Sequence, residues 1–130
     1  MMEVAVVIAK NGEPIHWHLP AGRTAVRIPD TRSLWDVLWS NRDIVQGVAH
    51  SHPGAGLPGP SYEDVTTFAP IEGSLGQRLD WWITSQDSLV IARWVGPDRL
   101  SYASLVQTVQ PPWVDELRRL SYAISQAPKM

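Results

Sequence analysis

The run His50-Ser51-His52-Pro53, followed by the seven residues Gly54 to Pro60 and then by Ser61-Tyr62-Glu63-Asp64, constrains this chain more than any other part of it. The apolar stretch Ile44 to His50 reads as a strand that ends in the motif. Side chains two apart on a strand project from the same face, so the His50 and His52 imidazoles can converge on one point. In the loop that follows, Pro53, Pro58 and Pro60 stiffen the backbone and Gly54, Gly56 and Gly59 permit tight paths. Ser61 is well placed as the N-cap of a helix, with Asp64 three residues on in its first turn, where the helix dipole favours a carboxylate. The unit therefore demands a fold in which a strand end and a helix start face the same place.

The rest of the chain supplies elements for such a fold. Val4 to Ala9 is short, apolar and β-branched, as expected of a strand buried on both faces. Asn11-Gly12 predicts a turn, and Pro14 to Leu19 a return strand. Ala25 to Ile28 reads as a third strand. Behind a cap at Asp30 or Thr31, the spacing of Leu34, Trp35, Leu38 and Trp39 predicts a helix from 31 to about 41. A second helix is expected over Ser61 to Ala69, ended by Pro70. Trp81 to Thr84 and Leu89 to Trp94 read as strands around a polar Ser-Gln-Asp turn, with a shorter strand near Leu100 to Ala103. Trp113, Leu117, Leu120 and Ile124 line one face of a C-terminal helix spanning 112–127, with Asp115 and Glu116 in its first turn. These elements describe one α+β (α/β-like) domain over residues 1–130, a mixed, largely meandering sheet flanked by helices. The seven tryptophans are expected mainly to fill the core and the grooves between elements; Trp17, Trp81 and Trp82 cannot all face inward on alternating strands, so any ring left exposed would mark a partner or substrate groove.

Composition narrows the chemistry. With 11 Lys and Arg against 13 Asp and Glu, the net charge is -2 and no basic block is present, which argues against a nucleic-acid partner. Cysteine is absent, so disulfides and thiolate ligands are excluded and any metal must be held by His, Asp or Glu. No stretch approaches the roughly 18 apolar residues of a membrane span, and the N-terminus lacks the pattern of a leader. The expectation is a soluble cytoplasmic protein.

Two His and one carboxylate leave a fourth position around zinc open, the arrangement that distinguishes a catalytic from a structural site. Ser61, adjacent to the third ligand, is a candidate hydrogen-bond donor to a developing oxyanion. Taken singly, Ser61 is also accounted for as a helix cap and Asp64 as its capping-box partner. His16-Trp17-His18 is a second His-x-His, but no carboxylate follows it at useful spacing, and half-exposed strand histidines account for it.

The joint pattern His50-Ser51-His52-Pro53-x7-Ser61-x2-Asp64 resembles the JAMM motif of the MPN-domain (JAB-type) zinc metalloproteases, in particular their small prokaryotic-type members. The resemblance implies a cytidine-deaminase-like domain with a mixed, mostly antiparallel sheet. It implies zinc ligation by His50, His52 and Asp64, oxyanion support from Ser61, and an upstream Glu as base. Glu3, which opens the run Glu3-Val4-Ala5-Val6-Val7-Ile8 47 residues before His50, is similar to the family's Glu and is favoured over Glu13 in the following turn. Family members usually carry a helix before that Glu; here the C-terminal helix is expected to cover the same sheet face. The implied activity is hydrolysis of a peptide or isopeptide bond, the substrate being a peptide or a ubiquitin-like protein with an extended tail. The alternatives are a non-catalytic MPN-type scaffold and a RadC-like protein.

Overall fold

The structure is a computed structural model and describes residues 1–20 and 31–122. The strand expected at Ala25 to Ile28, the Asp30 cap and the C-terminal helix beyond Tyr122 lie outside the described residues. In chain order the elements are β1 (Ala5–Ala9), β2 (Pro14–His18), α1 (Thr31–Ser40), β3 (Val45–Ser51), α2 (Tyr62–Leu75), β4 (Asp80–Thr84), β5 (Leu89–Trp94), β6 (Tyr102–Val106) and α3 (Trp113–Tyr122). The strands form a single sheet in the order β2-β1-β3-β4-β5-β6. All neighbours are antiparallel except β3 and β4, which run parallel and are joined through α2. The class is α+β, as the mixture of periods in the sequence predicts.

β1 is buried along its whole length because it lies inside the sheet and both faces are covered. Ala5 and Val7 face one side, where Val48, Trp81, Ile83 and Val90 meet Leu38 of α1 and Phe68 and Leu75 of α2. Val4, Val6 and Ile8 face the other, packing with Ala49, Trp82, Leu89 and Ile91 against Trp113, Val114 and Leu117 of α3. The C-terminal helix thus covers the sheet face that carries Val4, Val6 and Ile8, opposite the face of Ala5 and Val7. Burying Leu117 fully stabilises this layer by about 1.5–3 kcal/mol.

Two expectations are corrected. Trp81 and Trp82 point to opposite faces and both are buried, at 3% and 8% exposure, because each face has its own helical layer. Trp17 is half-buried against the α3 side, so none of the three marks an open groove; the exposed tryptophan is Trp39, stacked on Trp35. Pro70 does not end α2, which continues to Leu75 and closes at Gly76 in the left-handed region, φ 73°. An interior proline costs about 3 kcal/mol. The turn beyond it is held by tertiary bonds instead: buried Glu72 accepts from the Leu79 N–H and Trp81 Nε1, both at 2.9 Å, from Arg78 at 3.0 Å and from the Tyr102 hydroxyl.

Candidate metal centre

Register brings the site together. Ala5 lies opposite His50 in the β1–β3 ladder, so the chain entering β1 runs beside the motif end of β3. Ser51, between the two histidines, points to the opposite face and is fully buried. Its N–H donates to the Val4 carbonyl at 3.1 Å and its Oγ accepts from the Val4 N–H at 3.0 Å. Glu3 is thereby placed next to His52. The His52 N–H donates to the Thr84 carbonyl of β4 at 2.8 Å, and its carbonyl accepts from the Tyr122 hydroxyl of α3 at 2.5 Å. Burial pushes the Tyr122 hydroxyl up to about 12, so it remains a donor at neutral pH.

The loop after His52 has a fixed path. Gly54 and Gly56 adopt φ of 84° and 89°, a region that side-chain-bearing residues rarely occupy. The Gly54 carbonyl accepts from the Gln86 N–H at 3.0 Å, the Gly56 N–H donates to Asp87 at 2.8 Å, and the Ser85 hydroxyl donates to the Gly56 carbonyl at 2.6 Å. The turn between β4 and β5 therefore holds the loop that delivers α2. At the start of α2, Ser61 and Asp64 form a reciprocal capping box: Asp64 N–H to Ser61 Oγ at 3.0 Å, Ser61 N–H to Asp64 Oδ2 at 2.9 Å. That bond uses Ser61 Oγ as an acceptor, and its O–H proton remains for another partner.

Asp64 does more than cap. Its Oδ2 lies 3.5 Å from His50 Nε2 and 3.2 Å from His52 Nε2, and the two imidazole nitrogens are 3.0 Å apart. A tetrahedral ion with ligands at 2.0–2.1 Å requires ligand atoms about 3.3–3.4 Å from one another. The triangle matches that edge length, and its donors are two nitrogens and one oxygen converging on one point. A second set overlaps it: one carboxylate oxygen of Glu3 and one ring nitrogen each of His50 and His52 lie within 4.8 Å of one another. The residues present could hold a metal ion, with His50 and His52 common to both sets.

The carboxylates differ in electrostatics. Burial raises the Glu3 carboxyl above its ordinary range, against the opposing pull of His50 and His52 and with a further upward push from Asp64. Burial also works against ionisation of Asp64, but hydrogen bonds from His50, His52 and the Ser61 N–H outweigh it and hold Asp64 well below the usual carboxylate range. The two carboxyls are thus shifted in opposite directions.

All five residues singled out in the sequence, Glu3, His50, His52, Ser61 and Asp64, meet at this end of the sheet. Glu13 lies in the β1–β2 turn, where its carbonyl accepts from Ala9, at the far end of β1. His16 and His18 have ring centroids 5.9 Å apart; His16 is half-buried as expected, whereas His18 is buried at 3% exposure. His18 and His50 both lie opposite Ala5, on its two sides, so the pair sits across β1 from the motif rather than within it. Ser51, Thr84 and Tyr122 were not singled out by sequence. Only Ser51 left a signal, a small polar side chain at the inward position of a buried strand end. No helix among the described residues is long and apolar enough to cross a membrane. No family model and no curated protein matches the chain.

Proposed function

We propose that this protein is a zinc-dependent hydrolase of peptide or isopeptide bonds, its ion held by His50, His52 and Asp64. The observation that carries the proposal is the convergence of His50 Nε2, His52 Nε2 and Asp64 Oδ2 within 3.0–3.5 Å of one another, beside the half-buried Glu3 and the Ser61 hydroxyl, whose oxygen accepts the Asp64 N–H. Imidazole and carboxylate donors in a three-ligand set, with no thiolate available, suit catalytic zinc. The motif's resemblance to the JAMM pattern supports the same reading.

Bound there, zinc would supply Lewis acidity and a water whose pKa falls to about 7. Glu3 takes a proton from the attacking water and passes it to the leaving amine as the C–N bond breaks and the C–O bond forms. Its raised affinity for the proton suits both halves of that transfer. The Ser61 hydroxyl donates to the carbonyl oxygen as negative charge develops there. Asp64 remains ionised throughout, and its bond to the Ser61 N–H fixes the ligand oxygen. The substrate is an extended peptide segment, either a free tail or the tail of a ubiquitin-like protein joined to an amine.

The test is cleavage of a panel of fusions in which ubiquitin-like tails precede a reporter. Cleavage at a single bond, stopped by a chelator and restored by zinc, is the expected result. Cleavage that a chelator leaves untouched, or none across the panel with zinc bound, contradicts the proposal.

A further inference from the structure

Glu3 needs rigid support, because a base misplaced by about 1 Å can lose roughly a hundredfold in rate. The residues on either side of it are both tied down. Val4 is bonded to Ser51 of β3 through its N–H and its carbonyl, at 3.0 and 3.1 Å. The Met2 N–H donates to the Ser121 carbonyl at 2.9 Å. That carbonyl belongs to α3, one residue before Tyr122. The next residue, Tyr122, is buried and reaches from the same turn to the His52 carbonyl at 2.5 Å and toward the Thr84 carbonyl at 3.4 Å. One helical turn therefore touches both strand ends that carry the site: the one bearing Glu3 and the one bearing His52.

We propose that Ser121-Tyr122, the last turn of α3, together with Ser51, is a positioning clamp of the metal centre that sets Glu3 and His52 relative to each other. The inference rests on the metal-site reading above and assigns α3 a role beyond covering the sheet. Tyr122 and Ser51 are positioning residues: they act through the backbones of His52 and Val4 and touch no substrate. The amphipathic face of α3 is secured separately by Trp113, Val114 and Leu117, so the hydroxyl of Tyr122 can be removed while the helix stays docked.

The test compares native, Tyr122→Phe and Ser51→Ala full-length chains. Cobalt(II) and zinc(II) serve as the metal probes, and metal-free unfolding midpoints serve as the control for folding. Tyr122→Phe is expected to weaken zinc binding about tenfold, the low end for loss of a supporting contact to a ligand. It is also expected to change the visible cobalt spectrum and to lower kcat about tenfold at unchanged KM. Ser51→Ala, which frees the Val4 N–H while leaving both imidazoles in place, should lower kcat in the same way and serves if the first variant fails to fold. A native cobalt spectrum, native affinity and native kcat in either folded variant overturn the clamp alone. A native chain that takes up neither metal overturns the site reading, and is recognised because all three chains then behave alike.

Discussion

Asp64 carries two jobs on one oxygen, and two substitutions separate them. Its Oδ2 accepts the Ser61 N–H at 2.9 Å as part of the α2 cap and lies within 3.5 Å of both imidazole nitrogens as the proposed third metal ligand. Asparagine keeps a side-chain oxygen for the cap but loses the anionic donor; alanine loses both. In the presence of chelator, Asp64→Ala should lose about 1 kcal/mol, the usual value of a capping interaction, and roughly 3–6 °C in Tm for a chain of this size. Asp64→Asn should lose less, since it keeps the cap acceptor and gives up only the charge, whose interaction with the helix N-terminus is worth about 0.3–1 kcal/mol and which also faces His50 and His52. Metal binding should not follow that order, because both variants lack the anionic donor. Tetrahedral zinc binding of about 10–16 kcal/mol spread over four ligands gives about 3 kcal/mol for one, so both variants should bind zinc roughly a hundredfold more weakly. Competition titration against a chromophoric chelator measures this, and thermal melts in chelator measure the cap. Native zinc affinity in Asp64→Asn would refute the assignment of Asp64 as a ligand.

Three other outcomes follow from the same structure. Glu3→Gln should keep zinc within a few-fold of native and lose about 10²–10⁴ in hydrolytic rate; an unimpaired rate with bound zinc would remove Glu3 as the base. Glu72→Gln puts an amide where a buried carboxylate accepts from Leu79, Trp81, Arg78 and Tyr102, and should cost about 3–5 kcal/mol in urea unfolding, with a loss under about 1 kcal/mol counting against that network. Because the folded-state pKa of Asp64 is depressed, its contribution to metal-free stability is present above the unfolded value of about 3.9 and is lost as pH falls below it. The native chain should therefore lose stability below about pH 4 more steeply than Asp64→Asn, and parallel acid profiles would contradict the depression.

The local parts of this molecule were legible in its sequence. Strand alternation placed His50 and His52 on one face, capping chemistry placed Ser61 and Asp64 at a helix start, and the β-branched run at Val4 to Ala9 predicted a strand covered on both sides. What was hidden depends on contacts between distant residues. Pro70 looked like a stop because the buried carboxylate of Glu72 gains its partners from Leu79, Trp81 and Tyr102, which no local rule connects to it. The burial of both Trp81 and Trp82 followed from α3 closing the second face, a layer whose docking the sequence suggested but whose consequence for the adjacent rings it did not. What holds Glu3 was hidden for the same reason, since the anchors of its neighbours are Ser51, 47 residues from Val4, and the Ser121 carbonyl at the far end of the described chain.

The most direct test of the central claim is a zinc-edge anomalous diffraction map from crystals of the zinc-loaded chain. The account predicts one peak per chain, about 2.0–2.2 Å from His50 Nε2, His52 Nε2 and Asp64 Oδ2, with the Glu3 carboxylate outside the ligand shell. A peak ligated by Glu3 in place of Asp64, a peak at His16 and His18, or no peak at this end of the sheet would contradict it.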